Sequence, residues 1–274
     1  MTVKNIDFHD GRSIPQLGYG VWQVADDVAA AVVEKALDVG YRHVDTAAIY
    51  GNEAGVGRAI EAAGVPRDEL FVTTKLWNDR HQDADAALGE SLERLGLDHV
   101  DLYLVHWASE KGTHVDAWKG LVEQKKAGRA TSIGVSNYTA EQLEEIIEAT
   151  GEVPVIHQIE LHPYFQQRYL RDLHAKHGIV TESWSPLGQG GGELEDPVIV
   201  EIAEAHDVEP AQVIIAWHLA HGLVVIPKSE TPERIVSNFA AADLELTDEE
   251  VARIDALDKT PDGRQGADPA KPGF

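Results

Sequence analysis

Four side chains of this sequence could together do proton chemistry: a carboxylate, a phenol, an ammonium and an imidazole. Asp45 ends the short apolar run His43-Val44-Asp45, and Tyr50 follows five residues later with Gly51 directly behind it. Lys75 ends the run Leu70-Phe71-Val72-Thr73-Thr74, and His106 ends Val100-Asp101-Leu102-Tyr103-Leu104-Val105. An Asp and a Tyr in one loop are usually a turn residue and a half-buried aromatic, so the pair alone says little. Asp45, Lys75 and His106, however, fall 30 and 31 positions apart, about the length of a strand-helix-strand unit. If the strands run parallel, their ends share one rim and the three side chains converge near Tyr50. A phenol with a pKa of about 10 exchanges protons poorly near neutrality, and a neighbouring ammonium stabilises the phenolate and lowers that value. Asp45 would hold the lysine charged, and His106 could hydrogen-bond a carbonyl oxygen.

The elements that must position these groups alternate along the chain. Residues 2–15 read as a hairpin around Asp10-Gly11. A short first strand, Gln16-Leu17-Gly18-Tyr19-Gly20, precedes a helix over 27–39 that Gly40 closes. Ala84, Ala87, Leu88, Leu92 and Leu95 recur at helical spacing, with Gly96 as C-cap. Thr139 with Gln142, and Thr247 with Glu250, form capping boxes ahead of apolar helical runs. Further strands are expected over 131–135, 155–159, 179–184 and 223–226. These runs are apolar without strict alternation, as in parallel strands covered on both faces by helices. Eight strand-helix alternations predict an α/β fold, a closed (β/α)8 TIM barrel of one domain over 1–274, with an N-terminal β-hairpin and an extra C-terminal helix. An open dinucleotide-binding sheet would need G-x-G-x-x-G, whereas Gly18-Tyr19-Gly20-Val21-Trp22-Gln23 lacks the third glycine.

Composition narrows the function classes. With 274 residues and 43% hydrophobic content the chain can bury a sizeable core. The first seven residues carry no apolar stretch of the secretory type. The most apolar run, 211–226, is interrupted by Gln212, His218 and His221, so no membrane span is expected. The absence of cysteine removes disulfides and thiol nucleophiles and fits a soluble cytoplasmic protein. A formal net charge of −24 argues against nucleic acid or anionic lipid as a general partner. The acidity reads as surface adaptation, of the kind a salt-tolerant host would favour.

Continuing round the expected rim, Gly134-Val135-Ser136-Asn137 ends the fifth strand, the sixth carries Gln158, and the seventh ends in Trp184-Ser185-Pro186-Leu187-Gly188-Gln189. Ser136, Asn137 and Gln158 have the donors and acceptors to hold a carboxamide, and Trp184 offers a flat face for a ring. The last strand runs into Ile226-Pro227-Lys228-Ser229-Glu230-Thr231-Pro232-Glu233-Arg234. Thr231 as N-cap and Pro232 at the first helical position gather Lys228, Ser229 and Arg234 at a helix N-terminus, an anion site. The chain has 13 histidines but no H-x-H or H-E-x-x-H pair, so no metal is expected. His43, His157 and His162 read as satisfied structural histidines, Trp118 and Trp217 as packing, and the Glu144-Glu145 and Asp248-Glu249-Glu250 clusters as solvated helix faces.

From about residue 14 to residue 269 these segments resemble the aldo-keto reductases, in particular the bacterial 2,5-diketo-gluconate reductase-like branch. The resemblance rests on Leu17-Gly18-Tyr19-Gly20-Val21-Trp22, Asp45-Thr46-Ala47-Ala48-Ile49-Tyr50-Gly51-Asn52-Glu53, Thr74-Lys75-Leu76-Trp77, Leu104-Val105-His106-Trp107, Gly134-Val135-Ser136-Asn137, Gln158-Ile159-Glu160-Leu161-His162-Pro163-Tyr164, Ser185-Pro186-Leu187-Gly188 and Ile226-Pro227-Lys228-Ser229, in that order. It implies a monomeric NADPH-dependent carbonyl reductase acting on small aldehydes and ketones, keto-sugars and α-dicarbonyls among them. Tyr50 would be the general acid, Lys75 and Asp45 its tuning pair, and His106 the group that orients the carbonyl. Gly20, Val21, Asp45, Ser136, Asn137, Gln158, Trp184, Ser185, Leu187 and Gln189 would contact the cofactor, with Trp184 stacked on the nicotinamide. Lys228, Ser229 and Arg234 would hold the 2′-phosphate, and Asn238 would approach the adenine. Trp22, Trp77 and Trp107 would line the substrate pocket with Tyr50 and His106. The chain departs from the pattern at Val21, where Thr is frequent, at Ala108, where Pro is common, and at Ser237, where Glu is frequent. A short segment after His106 and an early chain end imply a more open pocket. The residues alone also admit a Schiff-base aldolase using Lys75 or a non-catalytic NADP-binding regulatory barrel; a metal-dependent hydrolase is the weaker rival.

Overall fold

The structure, a computed structural model, describes residues 3–109 and 111–273. In chain order the elements are β1 (Asn5–Asp7), β2 (Ser13–Pro15), β3 (Tyr19–Gly20), α1 (Asp26–Val39), β4 (His43–Asp45), α2 (Glu53–Ala62), β5 (Phe71–Leu76), α3 (Ala84–Leu95), β6 (Val100–Val105) and α4 (His114–Lys126), followed by β7 (Ala130–Ser136), α5 (Ala140–Thr150), β8 (Ile156–Glu160), α6 (Arg168–His177), β9 (Val180–Trp184), α7 (Pro197–His206), α8 (Pro210–Ala220), β10 (Val224–Val225), α9 (Pro232–Ala240) and α10 (Asp248–Asp255). β1 and β2 pair antiparallel, Asn5 opposite Pro15, as the Asp10-Gly11 turn predicted. β3 to β10 form one parallel sheet in which every strand neighbours the next in sequence. The sheet curls back on itself: Leu17 bridges Val225 in parallel, with Gly18 N–H on the Val225 carbonyl at 2.9 Å and Val225 N–H on the Gln16 carbonyl at 2.9 Å. The (β/α)8 barrel is thus closed at a seam where only a few residues meet, which is why β3 and β10 are shorter than their apolar runs. At this seam Gly20 has no side chain to hold the strands apart; a Cβ there would come 3.0 Å from the Ile226 carbonyl oxygen.

Local sequence accounts for most boundaries. All six residues of β5 are buried, as expected of a strand covered on both faces. Both capping boxes form, Thr139 accepting from the Gln142 N–H and Thr247 from the Glu250 N–H. Trp118 and Trp217 are wholly enclosed, and the Trp217 indole donates to Asp255 at 2.8 Å, tying α8 to the expected C-terminal helix α10. Two details differ from the sequence reading. An additional helix, α7, precedes α8, and the Thr231 side chain makes no capping bond at the start of α9. The Ser229 hydroxyl accepts the Thr231 N–H instead, at 3.1 Å.

Burial of imidazoles gives the fold a pH sensitivity. Burial pushes His43 and His174 down to about 3 and His81 and His218 down to about 4, and it holds His106 and His157 well below the ordinary value. Each is neutral in the folded chain and protonates near pH 6.5 when unfolded, so the unfolded state binds more protons over the interval between. Stability contributed by these groups is present above pH 6.5 and lost as the pH falls toward 4. His162 works the other way: burial opposes its charge, but Glu160 and Glu193 on either side raise it. Glu182, whose carboxyl burial also raises, acts in the same direction as His162. With six imidazoles against these two groups, the unfolding midpoint should drop between pH 7 and pH 5, measured by thermal denaturation; an unchanged midpoint across that interval would contradict this balance.

Candidate active site

At the carboxyl rim of the barrel the four residues meet. The Lys75 ammonium, on β5, donates to Asp45 Oδ1 at 2.6 Å, to the Thr46 carbonyl at 2.9 Å and to the Tyr50 phenol oxygen at 3.4 Å. Lys75 is fully buried and Asp45 is 2% exposed. The His106 ring stands edge-on to Tyr50, with centroids 5.6 Å apart, and edge-on to Trp77 at 5.2 Å. Tyr50 occupies the last position of a short 3₁₀ turn that Gly51 ends in left-handed geometry, φ 69°. The loop carrying it is pinned by its two next residues. The Asn52 amide donates to the Val21 and Val24 carbonyls, both at 2.9 Å, and accepts from the Thr46 hydroxyl at 2.8 Å. Glu53 accepts from Thr74 at 2.5 Å and Arg94 at 2.7 Å. Asn52 and Glu53 sit inside the motif that drew attention to Tyr50, and their buried polar groups carry the positioning that the sequence reading left unassigned.

The electrostatics refine the expected chemistry. Burial raises the Tyr50 phenol above the ordinary value, and the Lys75 charge only partly offsets it. The phenol was expected to be lowered; the desolvated site keeps it protonated instead, the form a general acid needs. Burial works against the charge on Lys75, but the Asp45 carboxylate at 2.6 Å holds its pKa above the usual value. The 2.6 Å contact with Asp45 favours the charged ammonium, which argues against the Schiff-base reading because that chemistry needs a free electron pair on nitrogen. Burial, helped by the Lys75 charge, keeps His106 neutral. Its Nδ1 is enclosed with no hydrogen-bond partner among the described residues. A neutral imidazole can donate one N–H to an oxygen without competing for the acid's proton.

Beside this group Ser136, Asn137, Gln158 and Trp184 line up at the ends of β7, β8 and β9. Asn137 adopts left-handed backbone geometry, φ 56°, and its amide is already committed. It donates to the His106 carbonyl at 3.1 Å and to Ser136 Oγ at 2.9 Å, and accepts the Trp184 indole N–H at 2.8 Å. Asn137 is therefore a strut between three strands rather than a free donor, while the Ser136 hydroxyl keeps its own hydrogen to give. Gln158 turns its amide nitrogen inward onto two carboxylates, Asp45 and Glu182, each at 2.9 Å. The outer edge of the Trp184 ring is approached by a segment from far along the chain. Residues 265 and 266 return across the barrel mouth, their N–H groups donating to Glu160 at 2.6 and 3.0 Å. Gly266 lies so close that any Cβ would overlap the Trp184 ring. Residues 265 and 266 thus pack onto Glu160 beside Trp184. Ser185 and Gln189, both with positive φ, bond to each other in the loop beyond, beside half-buried Leu187.

At the seam, Gly20 and Val21 are buried at the end of β3, Ser229 is 8% exposed, and Asn238 is 4% exposed on α9. Lys228 and Arg234 do flank the start of α9, but Lys228 is paired with Glu230 at 2.7 Å, a partner the sequence reading did not weigh. Arg234 is exposed, with no side-chain partner among the described residues. Of the three tryptophans, Trp77 packs on His106, Trp107 is 8% exposed, and Trp22 stands 45% exposed on the loop after β3. The donor types suit a dinucleotide: an exposed guanidinium in the first turn of a helix, and uncharged hydrogen-bonding groups on neighbouring strands.

The family model described as the Aldo/keto reductase family matches residues 16–259. The methylglyoxal reductase DkgA of Escherichia coli (strain K12) is 51% identical over 266 residues, covering 96% of each chain. A mycobacterial relative, an aldo-keto reductase of Mycolicibacterium smegmatis, is 52% identical over 267 residues, with 96% of each chain covered. Among solved structures, an aspartate-to-alanine mutant of Gox0644 in complex with NADPH superposes with a TM-score of 0.95 at 49% identity, covering 100% of both chains.

Proposed function

The chain belongs to the aldo/keto reductase family, and from that premise we propose that it reduces small α-dicarbonyl compounds such as methylglyoxal with Tyr50 as the proton donor. It is an NADPH-dependent oxidoreductase acting on carbonyl groups, the class its relatives define. The observation that carries the finer reading is the chain Asp45–Lys75–Tyr50 at 2.6 and 3.4 Å, in which Asp45 and Lys75 are buried and Tyr50 half-buried, ending beside a neutral imidazole. When bound, the dihydronicotinamide supplies a hydride to the carbonyl carbon. Ser136 and Gln158 would hold its carboxamide, Trp184 its ring face, and Ser229 and Arg234 the 2′-phosphate. His106 would hydrogen-bond the carbonyl oxygen and set its direction. Tyr50 would release its proton to that oxygen as negative charge develops there, and Lys75, held in place by Asp45, would stabilise the phenolate left behind. Trp22, Trp77 and Trp107 would cover the substrate's apolar side. The net charge of −24 supports small-molecule partners over nucleic acid. No helix among the described residues is long and apolar enough to cross a membrane.

A panel of carbonyls followed at the NADPH absorbance band, with NADH in parallel, tests this. The reading predicts oxidation dependent on methylglyoxal and related dicarbonyls, faster with NADPH; oxidation by simple aldehydes but not by any dicarbonyl would overturn the substrate class. Lys228 and Arg234 both flank the phosphate position proposed here, and Arg234 is the one with no side-chain partner among the described residues. Losing a charge-assisted contact costs about 1.5–3 kcal/mol, so Arg234→Ala should weaken NADPH binding roughly ten- to hundredfold and leave NADH nearly unchanged. Equal losses for both cofactors, measured by fluorescence titration, would contradict the phosphate assignment.

A further inference from the structure

One buried acid of the barrel interior has no part in the chemistry above. Glu182, on β9, lies in register with Gln158 on β8 and is fully enclosed. Its Oε2 accepts one hydrogen of the Gln158 amide at 2.9 Å, while Asp45 Oδ2 accepts the other at 2.9 Å. The groups facing it are His43 and Asp45 from β4, Lys75 from β5 and Gln158 from β8. Its second oxygen has no hydrogen-bond partner among the described residues; the nearest base, His43 Nε2, is 3.7 Å away.

The end of Gln158 that faces two carboxyl groups must be its NH2 end, since a flipped amide would aim a carbonyl oxygen at the Asp45 carboxylate. With both amide hydrogens consumed inside the barrel, only the Gln158 carbonyl oxygen is left for a ligand at the rim. We propose that Glu182 is a positioning residue, which together with Asp45 locks the Gln158 amide so that it presents an acceptor to the N–H of the cofactor's carboxamide. This rests on the reading of Gln158 as a carboxamide contact. A charge count follows from the same geometry. Asp45, Glu182 and Lys75 share one dry pocket with a single positive charge, so Glu182 carries a proton at neutral pH. Burial, then the Asp45 charge, pushes its carboxyl up to about 8.

Two cofactors separate positioning from simple packing. NADPH has the carboxamide N–H, whereas reduced 3-acetylpyridine adenine dinucleotide phosphate has a methyl ketone there and gives Gln158 nothing to accept. Misorienting one hydrogen-bonding group should cost roughly five- to tenfold in affinity. Glu182→Leu should therefore weaken NADPH by that factor and leave the acetylpyridine analogue within about twofold, while Glu182→Gln, which still offers a carbonyl oxygen, should bind both like the wild type. Equal losses for the two cofactors in Glu182→Leu, or no loss for either, would overturn the proposal. Glu182→Ala is read by the same ratio, so a folding failure of the leucine variant leaves the test in place. Gln158→Leu serves as the control: if it does not discriminate between the cofactors, the carboxamide reading itself fails, and if it does while both Glu182 variants do not, only the positioning role fails. The charge state has its own readout. A raised carboxyl contributes stability that is present at low pH and lost as the pH rises through the folded-state value. Glu182→Gln should then melt at a higher temperature than the wild type at pH 9, with a smaller difference at pH 6; the same difference at both would overturn the protonated assignment.

Discussion

Replacing Lys75 by methionine should cost the fold about 3–5 kcal/mol, the usual penalty for leaving one partner of a buried ion pair uncompensated. The side chain would still fill the space, but Asp45 would lose its counter-charge in a dry pocket, with only Gln158 to donate to it, next to Glu182. Turnover should fall as well, since nothing would then stabilise the phenolate of Tyr50. Adding Asp45→Asn to Lys75→Met removes the orphaned charge. The double variant should recover most of the stability and none of the rate, and a double-mutant cycle in chemical denaturation and in kcat measures both. A single variant as stable as the wild type, or a double variant that regains turnover, would contradict the role given to this pair.

The Asp45, Lys75 and His106 set was legible because parallel strands end on one rim, so a spacing of one strand-helix-strand unit becomes proximity in space. Barrel closure was legible in the eight apolar runs, even though its seam uses only short strands and the Leu17–Val225 bridge. Three things were not legible, each for a physical reason. Glu182 sits inside a strand read as apolar, and its contact with Gln158 depends on which strands become neighbours and in what register. The direction of the Tyr50 shift is a contest between burial and a nearby charge, and sequence reveals the charge but not the burial. The contact of residues 265 and 266 with Glu160 joins segments about a hundred positions apart, and such a long-range pairing leaves no local sequence signal. The pairing of Lys228 with Glu230 could have been noticed, since the two are close in sequence, but competition between a ligand and an internal partner shows only when a distance of 2.7 Å is known.

Tyr50→Phe should show the largest kinetic effect and almost no structural one. The phenol oxygen's contact with the protein is the 3.4 Å approach of Lys75, so its removal should shift stability by no more than about 0.5 kcal/mol. NADPH affinity should be unchanged, because the groups proposed to hold the cofactor lie on β7, β8, β9, α9 and the loop before α9. A positioned general acid contributes roughly 10²–10⁴-fold, and that is the expected loss of turnover. The most direct measurement is a single turnover: the NADPH complexes of wild type and Tyr50→Phe are mixed rapidly with saturating methylglyoxal, and loss of the NADPH absorbance is recorded. The account predicts one equivalent of NADPH consumed and one of alcohol formed in the wild type, with the same step slowed at least roughly 10²-fold in the variant. A variant that consumes NADPH at the wild-type rate would show that the proton comes from another group.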